Sequence, residues 1–184
     1  MSDKPVWYFA FGANMCSRVL AARRVTPLAR EPAKLPDYRL AFLEKGFPFF
    51  EPAFASIEPA PGDTVHGVLL QLEQRGFAFI DSTESPGYRL LEVDVIGRDS
   101  GRVCAATYAS RRPVQGLVPS RRYLELICEG ARENGLPGDY VRRLEAEPSR
   151  YVPGGKLVFG TLARAFGALQ RRRVAVPARA RRRR

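Results

Sequence analysis

From Val6 to Phe11 the chain is almost uninterruptedly apolar, aromatic and β-branched, and the run stops at Gly12. That pattern predicts a buried strand ending in a sharp turn, where a residue without a Cβ tolerates close approach. Asn14 follows as a turn former or helix cap, and a short helix is expected from about Met15 to Arg23. Residues 33–43 read as a strand whose early proline places it at an edge or start. A loop of unusual aromatic content, Lys45 to Pro52, comes next, then a short strand from Phe54 to Ile57 and a turn from Pro59 to Asp63. Val65 to Leu72 alternates as a strand should, and Gln74 to Ile80 reads as a brief helix. Two more strands, Tyr88 to Ile96 and Val103 to Ala109, flank a linker rich in hairpin residues. A helix is expected to open at Ser120 and close on Gly135. Its Leu124, Ile127, Cys128 and Ala131 fall at i, i+3, i+4 and i+7, so one face is buried. A further helix runs from Pro137 to about Glu145.

Five or six short strands with helices gathered late in the chain predict an α+β domain. Its sheet is expected to be small and mixed with helices packed around it, and a curl into a barrel-like form is an option that periodicity alone leaves open. The expected organisation is a domain over 1–155, a strand and helix extension over 156–170, and an Arg-rich tail over 171–184.

Composition narrows the function less than its first impression implies. The 184 residues carry a formal charge of +11. Eight of the 30 basic residues lie in 171–184 and none of the 19 acidic ones does, which leaves 22 bases against 19 acids in 1–170. The excess is therefore a tail able to attract nucleic acid or an anionic surface by charge alone, with steep salt dependence. A nucleic-acid-binding domain is disfavoured because the aromatics sit in strand-like apolar runs rather than among a basic stripe. No stretch approaches the ~20 apolar residues of a membrane span, and the N-terminal residues lack a secretory pattern; a cytoplasmic location is expected. Cys16, Cys104 and Cys128 have neither the number nor the spacing of a disulfide framework or a zinc site. His66 is the only histidine, and it reads as a packed or surface side chain.

Three segments together resemble the γ-glutamylcyclotransferase family. They are Tyr8-Phe9-Ala10-Phe11-Gly12-Ala13-Asn14, the turn holding Glu84 before the strand at Tyr88, and Gly130-Ala131-Arg132-Glu133-Asn134-Gly135-Leu136-Pro137. Gly62-Asp63-Thr64-Val65-His66-Gly67-Val68 sits between them at matching spacing, and the likeness covers roughly 6–150. The family's first motif usually reads Tyr-Gly-Ser-Asn, so Phe11 and Ala13 each lack a hydroxyl here. A pocket built mainly from backbone N–H groups keeps its function without them.

The resemblance implies a small-molecule γ-glutamyl substrate whose own α-amine attacks its γ-carbonyl, giving 5-oxoproline and the released amine. It implies no cofactor and no metal, and it places the activity in glutathione metabolism as a lyase or acyltransferase. Glu84 matches the catalytic glutamate, moving a proton from the attacking to the leaving nitrogen. Tyr8, Phe9, Ala10, Phe11, Gly12, Ala13 and Asn14 match the segment that holds the γ-glutamyl group, and Tyr88 and Tyr123 match aromatic contacts. The α-carboxylate is expected either in the Gly12–Ala13 cradle or at the helix N-terminus near Tyr123. Read alone, Glu84 is a solvated turn residue and the tyrosines are core; Asp81 and Glu92 are weaker acid candidates. A γ-glutamylamine cyclotransferase and a non-catalytic binding module of the same fold remain alternatives. Deleting residues 171–184 is expected to leave 5-oxoproline formation within about twofold while weakening retention on a polyanion column at low salt.

Overall fold

The computed structural model describes residues 4–47 and 49–153. The expected segments 156–170 and 171–184 lie outside the described residues. Strands β1 (Val6–Ala10), β2 (Ala29–Phe47), β3 (Glu51–Leu72), β4 (Tyr88–Gly97) and β5 (Gly101–Ser110) close into a barrel in the order β1-β3-β2-β4-β5. Among these five strands the β1–β5 seam alone is parallel, with Tyr8 opposite Ala106, and their other pairings are antiparallel. The sheet is thus mixed and closes as a barrel, which settles the closure that periodicity left open and agrees with the family resemblance.

Two strands are long rather than short. The expected strand over 33–43 extends through Pro32 and Pro36, and the expected strand–turn–strand over 54–72 is one continuous strand. The turn-forming residues survive as a bulge. Pro36 pairs with Thr64 and Tyr38 with Pro59, leaving Asp37 and residues 60–63 outside the ladder. Asp37 (φ 60°) and Gly62 (φ 83°) take left-handed backbone there, and the Gly62 N–H donates to Asp37 Oδ1 at 2.9 Å. A bulge bends a strand without ending it, which lets one hairpin wrap around the barrel. The aromatic loop over 45–52 contracts for the same reason: β2 runs on to Phe47 and β3 begins at Glu51, leaving Phe47 and Phe49 exposed at the tip.

Helices α1 (Ser17–Ala22), α2 (Gln74–Thr83), α3 (Arg121–Glu133) and α4 (Gly138–Glu145) pack outside the barrel. Among the described residues no helix is long and apolar enough to cross a membrane. Phe9, Val65, Leu69, Leu70, Leu72, Ile80 and Ile127 are fully buried in one continuous core. Burial of each such side chain stabilises by roughly 1.5–3 kcal/mol. The Ser120 Oγ accepts from the Tyr123 N–H at 3.1 Å and caps α3 as expected.

The motif that ends α3 clamps the turn after β1. A 3-10 turn, Ala13–Met15, precedes α1, and Gly130 of α3 lies directly over it. A Cβ on Gly130 would come within 2.6 Å of the Cys16 nitrogen and 2.7 Å of the Met15 backbone. Asn134 Nδ2 donates to the Met15 carbonyl at 3.1 Å, and Glu133 Oε2 accepts from the Ser17 N–H at 2.9 Å. Helix α3 thereby fixes where Asn14 sits. Gly130→Ala is expected to cost about 1–3 kcal/mol through overpacking, lowering Tm by on the order of 3–10 °C in a thermal melt.

Candidate functional site

Glu84 is the residue that ends α2, its N–H bonded to the Ile80 carbonyl at 3.1 Å. It does not reach bulk water freely: its side chain is only 18% exposed. The helix delivers it instead to the turn after β1. Asn14 Nδ2 donates to Glu84 Oε1 at 3.3 Å and to the Tyr8 hydroxyl at 3.0 Å, so one amide joins strand, turn and helix. Asn14 is itself buried, and its Oδ1 has no partner among the described residues.

Arg23, just past α1, completes the cluster. Its Nη1 lies 3.5 Å from Glu84 Oε1 and donates to Thr83 Oγ1 at 2.9 Å. Burial pushes the Glu84 carboxyl above the ordinary carboxylate range, and Arg23 and Asn14 pull in the opposite direction. Tyr8 is likewise pushed far up, by burial and then by Glu84; it is a neutral phenol at any physiological pH.

The turn from Glu84 to Gly87 is tied down from below. Ser85 Oγ bonds buried Glu44 Oε1 at 3.4 Å, Ser110 Oγ donates to Glu44 Oε2 at 2.7 Å, and the Arg111 N–H donates to the Gly87 carbonyl at 2.7 Å. Asp81 accepts from the Tyr108 hydroxyl at 2.8 Å, and Glu92 is exposed on β4, so neither competes with Glu84 as the buried acid.

Ala55 of β3 organises the aromatic wall. Tyr88 donates from its hydroxyl to the Ala55 carbonyl at 2.6 Å, and the Ala55 N–H donates to the Tyr123 hydroxyl at 3.2 Å. A Cβ on Gly12 would lie 3.3 Å from that same Tyr123 hydroxyl. The structure therefore gathers Tyr8, Gly12, Ala13, Asn14, Glu84, Tyr88 and Tyr123 around the end of β1. Phe9 and Phe11 differ: their rings pack 6.4 Å apart in the core, and the Phe9 carbonyl accepts from Thr107 Oγ1. Those two residues and Ala10, which is also buried, can offer a ligand only main-chain atoms. The first N–H groups of the Ala13–Met15 turn, which follows directly on the end of β1, have no partner within it.

One expected anchor is already filled. The N-terminus of α3, near Tyr123, holds the carboxylate of buried Glu51, which accepts from the Ser120 N–H at 2.8 Å and from the Ser120 hydroxyl. Arg122 Nη2 lies 3.5 Å from the same carboxylate. A second acceptor there would compete with the Glu51 carboxyl for the Ser120 N–H. Glu51 and Arg23 both escape sequence reasoning. Glu51 sits among loop-like aromatics, and nothing in the linear pattern separates Arg23 from its neighbour Arg24.

Cys16, Glu129 and Glu133 form the single grouping of metal-ligand type among the described residues. Ser17 and Arg18 already engage its two carboxylates. His66 packs its ring 4.9 Å from Tyr140, and burial lowers its pKa.

Residues 64–144 match the model of the AIG2-like family. The chain is similar to the gamma-glutamylcyclotransferase of Mus musculus, 30% identical over 151 residues that cover 78% of this chain and 80% of that protein. It is equally similar to the gamma-glutamylcyclotransferase of Homo sapiens, 30% identical over 152 residues, 79% of this chain and 80% of that one. A solved structure described as a gamma-glutamyl cyclotransferase superposes with a TM-score of 0.71 at 26% identity, covering 82% of this chain and 92% of the other.

A carboxyl whose pKa is higher folded than unfolded adds stability that is complete below the unfolded pKa and is lost as pH rises through the folded one. Glu84→Gln is accordingly expected to melt at a higher temperature than the parent at pH 8. The difference should vanish below about pH 4, as read by thermal melts across that range.

Proposed function

Because the chain belongs to the γ-glutamylcyclotransferase (AIG2-like) family, we propose that it converts γ-glutamyl amino acids to 5-oxoproline and the free amino acid. The observation that carries this reading is the mostly buried Glu84 carboxylate, joined through Asn14 to Tyr8 at the end of β1.

The chemistry asks for three things, and the chain's own groups match each. The α-amine arrives as an ammonium and must lose a proton. Glu84 accepts it, and the Asn14 Oδ1, a buried acceptor without a partner among the described residues, receives another ammonium N–H. The freed amine then attacks the γ-carbonyl carbon, closing a five-membered ring, and holding both in one molecule at the right angle contributes several kcal/mol.

As the carbon–nitrogen bond forms, the carbonyl electron pair moves onto oxygen. Main-chain N–H groups around Gly12 and Ala13 receive that charge; donors of this kind are worth roughly 3–4 kcal/mol elsewhere. The same dependence on main-chain donors accommodates Ala13 where the family usually has serine. Glu84 returns its proton to the departing nitrogen and takes the surplus one from the ring nitrogen. Collapse of the tetrahedral centre then releases a neutral lactam and an amine that leaves with that last proton as an ammonium. A carboxyl raised by burial suits these transfers, since it holds the proton between them more readily than an exposed carboxyl would. Tyr88 and Tyr123, set on either side of Ala55, form the wall against which the departing group rests.

Glu84→Gln is expected to lower the rate of 5-oxoproline release from γ-glutamyl-alanine by about 10²- to 10⁴-fold with an unchanged circular dichroism spectrum. Turnover equal to the parent's would take Glu84 out of the reaction.

A further inference from the structure

Among the groups around Glu84, the proton transfers above leave Arg23 without a role, and its placement is specific. It lies on the same Oε1 that Asn14 donates to, 3.5 Å away, and is steadied by Thr83 Oγ1 at 2.9 Å. The Thr83 hydroxyl in turn bonds the Ile80 carbonyl at 2.9 Å, so the guanidinium rests on the last turn of α2. Its side chain is 28% exposed, enough to meet a ligand. Both contacts among the described residues use Nη1, one corner of a group with five N–H donors in a planar fork.

A γ-glutamyl group carries an ammonium and a carboxylate on one carbon. If the ammonium sits at Glu84 and Asn14, the carboxylate must lie within a side chain's width of them. The N-terminus of α3 is taken by Glu51, and among the described residues Arg23 is the one cation paired with Glu84. The Arg23–Glu84 pair mirrors the substrate's own charges, each partner opposite one of them. Resting on the reading of the site as a γ-glutamyl cyclotransferase, we propose that Arg23 binds the substrate's α-carboxylate through its remaining fork and selects for γ-glutamyl over decarboxylated acyl groups.

The consequence for the reaction is an exchange of partners. In the free chain the guanidinium favours the carboxylate form of Glu84 against its burial, and that is the form able to accept a proton. When the zwitterion enters, Arg23 turns part of its charge to the α-carboxylate, and the ammonium replaces it beside Glu84. The pair that keeps the empty site neutral is thus dismantled by the ligand that needs both halves.

The test compares ligands that differ only in that carboxylate. By titration calorimetry the full chain is expected to bind 5-oxoproline about 10- to 100-fold more tightly than pyrrolidin-2-one. Arg23→Gln should erase that preference, and Arg23→Lys should keep part of it. In turnover, Arg23→Gln should lower kcat/KM for γ-glutamyl-alanine by the same factor, chiefly through KM. Its effect on cyclisation of 4-aminobutanoyl-alanine should be smaller by about 10- to 100-fold, the share that Arg23 owes to the carboxylate and not to Glu84. An equal loss on both substrates, or a parent that binds the two lactams alike, would overturn the assignment and leave Arg23 as a support for Glu84. A parent that converts neither acyl-alanine refutes the cyclotransferase reading, while the lactam titration still decides Arg23 separately.

Discussion

A carboxyl with less than a fifth of its surface in contact with solvent needs donors built around it if it is to carry charge, and that requirement organises this molecule. Burial works against the charge on Glu84; the Asn14 amide and the Arg23 guanidinium work for it. Neither donor is near Glu84 in the chain. Asn14 comes from the turn after β1, Arg23 from the end of α1, and Glu84 from the end of α2, so the site exists only where three separate segments end at one point. Burial set against donors in this way favours proton uptake by the carboxyl while its charged form keeps partners, the property a proton carrier needs.

Holding three chain ends together is the task of the surrounding packing. Helix α3 presses onto the Ala13–Met15 turn at a contact that has no room for a Cβ, and it adds hydrogen bonds from Asn134 and Glu133. Buried Glu44 and Ser110 hold the turn after Glu84 from the barrel side. The segment Gly130 to Pro137, one of those that carry the family resemblance, thus fixes the backbone that carries the site.

How much of this the sequence discloses depends on whether a signal is local. Strand β1, the β4–β5 hairpin, α3 with its Ser120 cap and α4 follow from periodicity and cap chemistry, because the forces that form them act within a few residues. Strands β2 and β3 are different. Their prolines and glycines read as breaks, yet pairing along most of both strands carries them through, and Asp37 with residues 60–63 becomes a bulge. Glu84 is legible through its motif, and Tyr8, Asn14, Tyr88 and Tyr123 come with it. Phe9 and Phe11 belong to the same motif but turn into the core, since neighbouring residues of a strand face opposite ways.

By itself the sequence determined the apolar runs, the capped helices, the mild charge of residues 1–170 and the family motifs; each is a property of neighbouring residues. Tertiary structure alone decided that the barrel closes through a parallel seam, that Glu51 fills the end of α3, and that Arg23 rather than Arg24 meets Glu84. Those outcomes turn on which distant groups share a few ångströms of low-dielectric space. Electrostatic energy depends on that separation and on the exclusion of water, and neither is a property of residue order.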